Sequence, residues 1–154
     1  MGNNEYVGWY AHEPAAADTM VWTSKYNKPL IMSEFGGDAL FGKHGDPSSR
    51  WTEEYQESLY QHQIAMLKRI PFLRGTTPWI LKDFRSPRRT LPHIEDYFNR
   101  KGLVDDHGEK KKAFFVLQKF YSEKQEADAA GKGEAPPSSR AAAASSGAAA
   151  AVPH

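Results

Sequence analysis

Apolar positions along the chain fall into short runs separated by stretches in which they recur at helical spacing. Asn4 to Tyr10 is aromatic and β-branched and reads as the end of a strand running into a loop. Pro14, Ala15 to Ala17 and Met20 to Tyr26 suit a short helix with proline in its first turn. Lys28 to Phe35 contains an apolar run too short for a helix, ending in Glu34 and followed by Gly36 and Gly37, the pattern of a buried parallel strand. Thr52 stands as the N-cap of a helix in which Tyr55, Leu59, His62 or Gln63, Met66, Leu67 and Ile70 recur until Pro71 stops it. Phe72 to Leu81 predicts the next strand despite Pro78. Glu109 to Tyr121 predicts a last helix, with Ala113, Phe114, Leu117, Phe120 and Tyr121 on one stripe.

Strands alternating with helices imply parallel pairing through right-handed crossovers, so the class is α/β. Two long loops, Gly36 to Arg50 and Lys82 to Arg100, follow the C-terminal ends of strands, where a (β/α)8 barrel builds its active site. A whole barrel needs about 250 residues. The 154 residues leave room for about three βα units, hence a small open sheet or part of a barrel. From Glu123 onward large apolar residues vanish, apart from Val152, and Ala, Ser, Gly and Pro dominate, so 1–122 is expected to fold and 123–154 to form a disordered tail. The alanine runs at 141–144 and 148–151 favour transient helix only.

A formal net charge of +1, with basic residues dispersed among acids, argues against a nucleic-acid footprint and against attraction to anionic membranes. No cysteine is present, which excludes disulfides and thiolate metal sites. No apolar run approaches the roughly 20 residues of a membrane span, and Met1 to Trp9 lacks the regions of a secretory signal; a cytoplasmic location is expected. His12, His44, His62, His93 and His107 show no metal-ligand spacing and read as surface or loop residues.

Three local features carry candidate chemistry. Glu34, within Ser33-Glu34-Phe35-Gly36-Gly37, is a carboxylate presented by a rigid strand end, although such a residue equally often caps a helix or pairs with an arginine. Trp79, in Thr77-Pro78-Trp79, offers an aromatic plane of the kind that stacks on the apolar faces of sugars, although most such tryptophans belong to cores. Asn99 and Lys101 lie two apart in Asn99-Arg100-Lys101-Gly102; in an extended stretch they point the same way and together could grip a carboxylate. Asp38 and His44 qualify as substrate contacts by loop position alone.

In this order the three features resemble the family 2 glycoside hydrolases, and specifically their β-glucuronidase branch, over Asn4 to about Tyr121. Asn4-Glu5-Tyr6-Val7-Gly8-Trp9-Tyr10 is similar to the family's sixth-strand segment, which implies that Asn4, Tyr6 and Tyr10 line the sugar site. Ile31-Met32-Ser33-Glu34-Phe35-Gly36 resembles the seventh-strand motif, which implies that Glu34 is the nucleophile. Trp51-Thr52-Glu53-Glu54-Tyr55-Gln56 resembles the start of the following helix, and Lys110 to Gln118 the last barrel helix. Trp79 stands where the eighth strand places a sugar-stacking tryptophan. Asn99-Arg100-Lys101-Gly102 matches the Asn-x-Lys pattern that recognises a uronic acid carboxylate. Ile80-Leu81-Lys82-Asp83-Phe84 and the loop Arg85 to Tyr97 depart from the pattern, and β-galactosidases carry similar Asn-x-Lys-Gly text.

The resemblance implies strands six to eight of a TIM barrel, a β-linked glucuronide or galactoside as substrate, no cofactor, no metal, and full-length relatives that are often homo-oligomeric. A retaining glycosidase needs two carboxyl groups about 5–5.5 Å apart. In the family the acid/base follows an asparagine at the end of the fourth strand, and Asn4-Glu5 has that dipeptide. Yet strands four and seven are about 90 residues apart at roughly 30 per unit, whereas Glu5 and Glu34 are separated by one unit. Glu5 therefore falls on strand six, and the acid is expected outside this chain. Open alternatives are a β-galactosidase-type hydrolase, a non-catalytic carbohydrate-binding remnant and a plain α/β interaction domain.

Overall fold

In the computed structural model, which describes residues 1–133, three strands lie side by side in a parallel sheet, β1 (Gly2–Asn4), β2 (Leu30–Glu34) and β3 (Leu73–Thr76). Asn3 pairs with Met32 and Met32 with Thr76, and irregularities at Asn3/Asn4 and Leu30/Ile31 adjust the register. A two-stranded antiparallel ribbon, β4 (Phe84–Arg85) with β5 (Phe98–Asn99), stands apart from that sheet.

The long helix α1 (Glu53–Lys68) begins where the sequence says it should. The Thr52 hydroxyl accepts from the Tyr55 amide at 3.1 Å, and Glu53 and Glu54 sit in the first turn, favourable for the helix dipole. Its buried Leu59, Tyr60, Ile64 and Leu67 share a core with Leu30 and Met32 of β2 and with Leu117 and Phe120 of the C-terminal helix α2 (Lys112–Gly133). Each such aliphatic side chain contributes about 1.5–3 kcal/mol by leaving water. Between Leu30 and Met32, Ile31 points the other way and is 48 % exposed. The space in front of Gly2 is bounded by Ser33 and that in front of Gly75 by Ile31. Ile31, Ser33, Gly2 and Gly75 thus share one open face, while α1 covers the other; parallel sheets are ordinarily covered on both.

Three elements differ from expectation. The helix read over Pro14 to Tyr26 is only a 3-10 turn, Pro14–Thr19; Met20 is already extended, and the β-branched Val21 and Thr23 with the bulky Trp22 lose side-chain freedom in a helix. The strand read over Phe72 to Leu81 stops at Thr76, because Pro78 has no amide to donate and the chain beyond Trp79 pairs elsewhere. The last helix does not stop at Tyr121. Helix α2 continues to Gly133 through good helix formers, tied to α1 by a Lys68–Glu123 ion pair at 2.9 Å. The rest of the expected tail, 134–154, lies outside the described residues. Among the described residues no helix is long and apolar enough to cross a membrane.

Candidate active site

Glu34 ends β2, half-buried, and its carbonyl accepts from the Glu5 amide at 2.9 Å, which aligns the ends of the first two strands. The Tyr6 hydroxyl donates to Glu34 Oε2 at 2.7 Å. Burial, then that hydrogen bond and the carboxylate's charge, push the Tyr6 hydroxyl far above its ordinary pKa, so it stays a donor. Tyr6 is held by a tight turn in which the amides of Trp9 and Tyr10 both bond its carbonyl. From α1 the Tyr55 hydroxyl and the Gln63 amide donate to the carbonyls of Gly8 and Val7 and fix that turn.

Beyond Glu34 the chain must turn away at Gly36. Its φ of +129° is a conformation side chains rarely adopt, and the volume a Cβ would fill is occupied by the hydroxyl of buried Tyr60. The Trp79 amide donates to the Phe35 carbonyl at 2.9 Å, which ties the backbone of half-buried Trp79 to the residue that follows Glu34. It packs edge-on to Phe84, with ring centroids 6.3 Å apart, and its peptide bond to Ile80 is cis. From Ile80 the chain zips alongside Lys101 to Val104: the Ile80 amide donates to Lys101 and the Leu103 amide to Ile80. That ribbon brings Asn99 and Lys101 to the strand-end loops.

Lys101 and Asn99 do not point outward as a pair. The Lys101 ammonium closes on Asp38 Oδ2, with the lysine side chain 1 % and the aspartate 0 % exposed. Asn99 Oδ1 accepts from the Lys101 amide at 3.0 Å, and Asp38 Oδ1 from the Arg100 amide at 3.1 Å. A second buried cation lies underneath: Lys111 Nζ donates to both Asp83 carboxylate oxygens (2.8 and 3.0 Å) and to the carbonyls of Ala39 and Arg100. Gly102 is needed where it is, since a Cβ there would collide with the Asp83 and Val104 backbones. Gln56 of α1 bonds the carbonyls of Gly37 and Gly102, joining both loops to the helix.

Tyr10 remains 62 % exposed, packed edge-on to Tyr6 at 5.1 Å, with its ring 5.0 Å from Lys101 Nζ. Arg89 Nη2 reaches its hydroxyl at 3.4 Å. Burial raises the Tyr10 pKa, but the nearby Arg89 and Lys101 outweigh it and the net direction is down. Asn4 is exposed at the end of β1, with its side-chain oxygen accepting from Ser33 Oγ at 2.8 Å. Of the loop residues, Asp38 is the buried partner of Lys101 and His44 bonds Glu54 at 2.9 Å. The structure therefore gathers Tyr6, Glu34 and Trp79 at strand ends, with Tyr10 beside Tyr6. Arg89, Asp83 and Lys111 were not singled out in the sequence. The only signals for them were the unusual stretch around Lys82-Asp83-Phe84, the unusual loop Arg85 to Tyr97 and a lysine run at 110–112.

No family model matches the sequence. A β-glucuronidase of Sus scrofa is 33 % identical over 132 residues, covering 77 % of this chain and 19 % of that protein. A solved β-D-glucuronidase of Dictyoglomus thermophilum superposes with a TM-score of 0.69 at 29 % identity, over 79 % of this chain and 22 % of that one. A GH2 β-galacturonidase of Eisenbergiella tayi bound to galacturonate shares the fold, with a TM-score of 0.67 at 24 % identity over 79 % and 23 %. The chain spans about a fifth of the length of the curated relatives it matches. It belongs by descent with the family 2 glycoside hydrolases, as the relative of one segment of their β-glucuronidases.

Proposed function

We propose that this chain forms the last three strand–helix units, strands six to eight, of the catalytic barrel of a retaining exo-β-glycosidase acting on β-glucuronides, with Glu34 as nucleophile. The observation that carries this is the Tyr6–Glu34 hydrogen bond at the C-terminal end of a parallel strand, the end at which barrels of this class place their chemistry. Tyr6 fixes Oε2, so Oε1 is the atom that attacks the anomeric carbon. As the new C–O bond forms, the bond to the leaving oxygen breaks, and that oxygen takes a proton from a second carboxylic acid. Glu5 is bonded through its amide to Glu34, on the adjacent strand end. We assign the acid/base to a preceding strand that these 154 residues do not include. Trp79 stacks on the sugar, Asn4, Tyr6 and Tyr10 line the pocket, and Asn99 and Lys101 build its carboxylate end. The open face carrying Ile31 and Ser33 becomes, in this reading, the inside of the barrel wall.

An activated 2-deoxy-2-fluoroglucuronide tests the reading, because displacement of a good leaving group needs no acid. A covalent adduct on the peptide containing Glu34, absent in Glu34→Gln, is expected. No adduct, or one elsewhere, overturns it. Full-rate cleavage of an unactivated glucuronide by the chain alone would contradict the assignment of the acid, since such help is worth roughly 10²–10⁴-fold. One observation favours a second reading, a neutral-sugar hydrolase: Asp38 already neutralises Lys101. Faster labelling by the matched fluorogalactoside would select it, and reversible sugar binding without an adduct would indicate a binding remnant.

A further inference from the structure

Away from Glu34, at the end of the sheet where β2 and β3 begin, the segment before β2 and the start of β3 enclose an open cavity of about 770 Å³. Leu30 and Glu34 stand at the two ends of β2, about 13 Å apart at roughly 3.3 Å per residue. Three cations line the cavity, Lys25, Lys28 and Arg74, together with two aromatic residues, Tyr26 and Phe72, and no carboxylate does. Among the described residues none of these cations takes part in an ion pair. Backbone bonds hold the wall in place: the Leu30 amide donates to the Phe72 carbonyl at 2.9 Å and the Lys28 amide to the Tyr26 carbonyl at 2.8 Å. The Arg74 side chain is held too, because its Nη1 donates to the carbonyls of Pro71 and Leu73 at 3.0 and 2.7 Å.

We propose that this cavity binds a nucleotide, with the phosphates held by Arg74, Lys25 and Lys28 and the base laid against Tyr26 and Phe72. Three cations around one concavity without a counter-charge raise the local positive potential and concentrate anions there. A phosphate carrying two or more charges gains more from that potential than a singly charged carboxylate does. The bonds from Arg74 to the main chain use only Nη1, which leaves Nε and Nη2 for phosphate oxygens in the two-pronged geometry arginine favours. Because the guanidinium is already fixed, little side-chain freedom is left to lose when a ligand arrives. Tyr26 is 65 % exposed, an aromatic surface in water that a planar base would cover by stacking. The proposal does not depend on the role of Glu34, which lies at the other end of β2.

The experiment titrates the 154-residue chain, followed by NMR at low salt, with ADP, adenosine, inorganic phosphate and digalacturonate. ADP is expected to shift the Tyr26 and Phe72 signals saturably and to bind about tenfold or more tightly than either adenosine or phosphate, since each supplies only one half of the recognition. Arg74→Gln should weaken ADP by about tenfold, and Tyr26→Ala should bring ADP close to phosphate. Since Arg74 also bonds the main chain, the double variant Lys25→Gln/Lys28→Gln, at two exposed positions, repeats the test of the phosphate contacts without touching that anchor. Lys119→Gln, on α2 with its side chain 80 % exposed, should leave ADP binding within about twofold of wild type. Equal weakening by Lys119→Gln would mean attraction to net charge and sink the proposal. So would adenosine binding as tightly as ADP, ADP binding unchanged in the lysine double variant or in Tyr26→Ala, or no saturable shift at all. Digalacturonate binding more tightly than ADP would assign the cavity to acidic sugars and overturn the nucleotide.

Discussion

Lys101 and Asp38 form a buried ion pair that ties the loop after Glu34 to the ribbon carrying Asn99. Removing one partner leaves the other charge in a nearly water-free place. Asp38→Ala and Lys101→Met are each expected to cost about 3–5 kcal/mol, and the double change Asp38→Leu/Lys101→Met to cost clearly less than the sum. Urea midpoints at pH 7 provide the measurement. Additive losses would show that the two side chains do not act as a pair.

The Tyr6 hydroxyl is the donor seen on Glu34, and hydrogen bonds to charged groups are worth about 1.5–3 kcal/mol. Tyr6→Phe should therefore slow covalent labelling of Glu34 by about 10- to 100-fold while the edge-on ring contact with Tyr10 is kept. Labelling rates by mass spectrometry, with circular dichroism to confirm the fold, decide this. An unchanged rate would remove Tyr6 from the proposed machinery.

Much of this was legible because it depends on short-range pattern. Glu34 at a strand end, Thr52 as a cap and the apolar stripe of α1 follow from spacing and local chemistry, and the structure has each in place. The direction of Lys101 was not legible. Alternation along an extended stretch places Asn99 and Lys101 on one side, but says nothing of Asp38, 63 positions away, which turns the ammonium inward. Lys111 was hidden for the same reason: within Lys110-Lys111-Lys112 only the middle residue is buried, and what buries it is Asp83 and two backbone carbonyls from distant loops. Helix α2 passed its expected end because composition near Glu123 lacks core residues, yet helix propensity does not require them.

Gly36 combines a positive φ with the intrusion of the Tyr60 hydroxyl. Gly36→Ala should destabilise the chain by about 2–4 kcal/mol, part from backbone strain and part from the clash. Tyr60→Phe removes the nearest clashing atom, a buried hydroxyl for which no hydrogen-bond partner is found among the described residues, but keeps ring carbon Cζ, 2.8 Å from the Cβ position. Adding it to Gly36→Ala should restore part of the steric loss and leave the strain. Thermal melts of the two single variants and the double variant measure the recovery. No recovery would mean that the hydroxyl contact contributes nothing to the loss.

Glu54 gathers three donors at once: Lys112 Nζ and His44 Nδ1, both at 2.9 Å from Oε1, and the Gly45 amide at 3.1 Å from Oε2. It thereby joins α1, α2 and the loop that follows Glu34. Lys112, first, pulls the Glu54 pKa from its ordinary 4.5 to about 2 against burial, the next largest influence, which pushes it up, and His44 and Gly45 add to the downward pull. A carboxyl whose folded-state pKa is depressed stabilises fully above its unfolded value and loses that contribution as pH falls through the folded value. The advantage of wild type over Glu54→Gln should therefore be constant above about pH 5, shrink between pH 4.5 and 2, and vanish below. Because Lys112 is 43 % exposed, 1 M salt should reduce the advantage at pH 7 as well. Urea midpoints of both proteins across that range give the test, and a gap that stays the same from pH 6 to pH 2 would show that Glu54 acts by packing and not by charge.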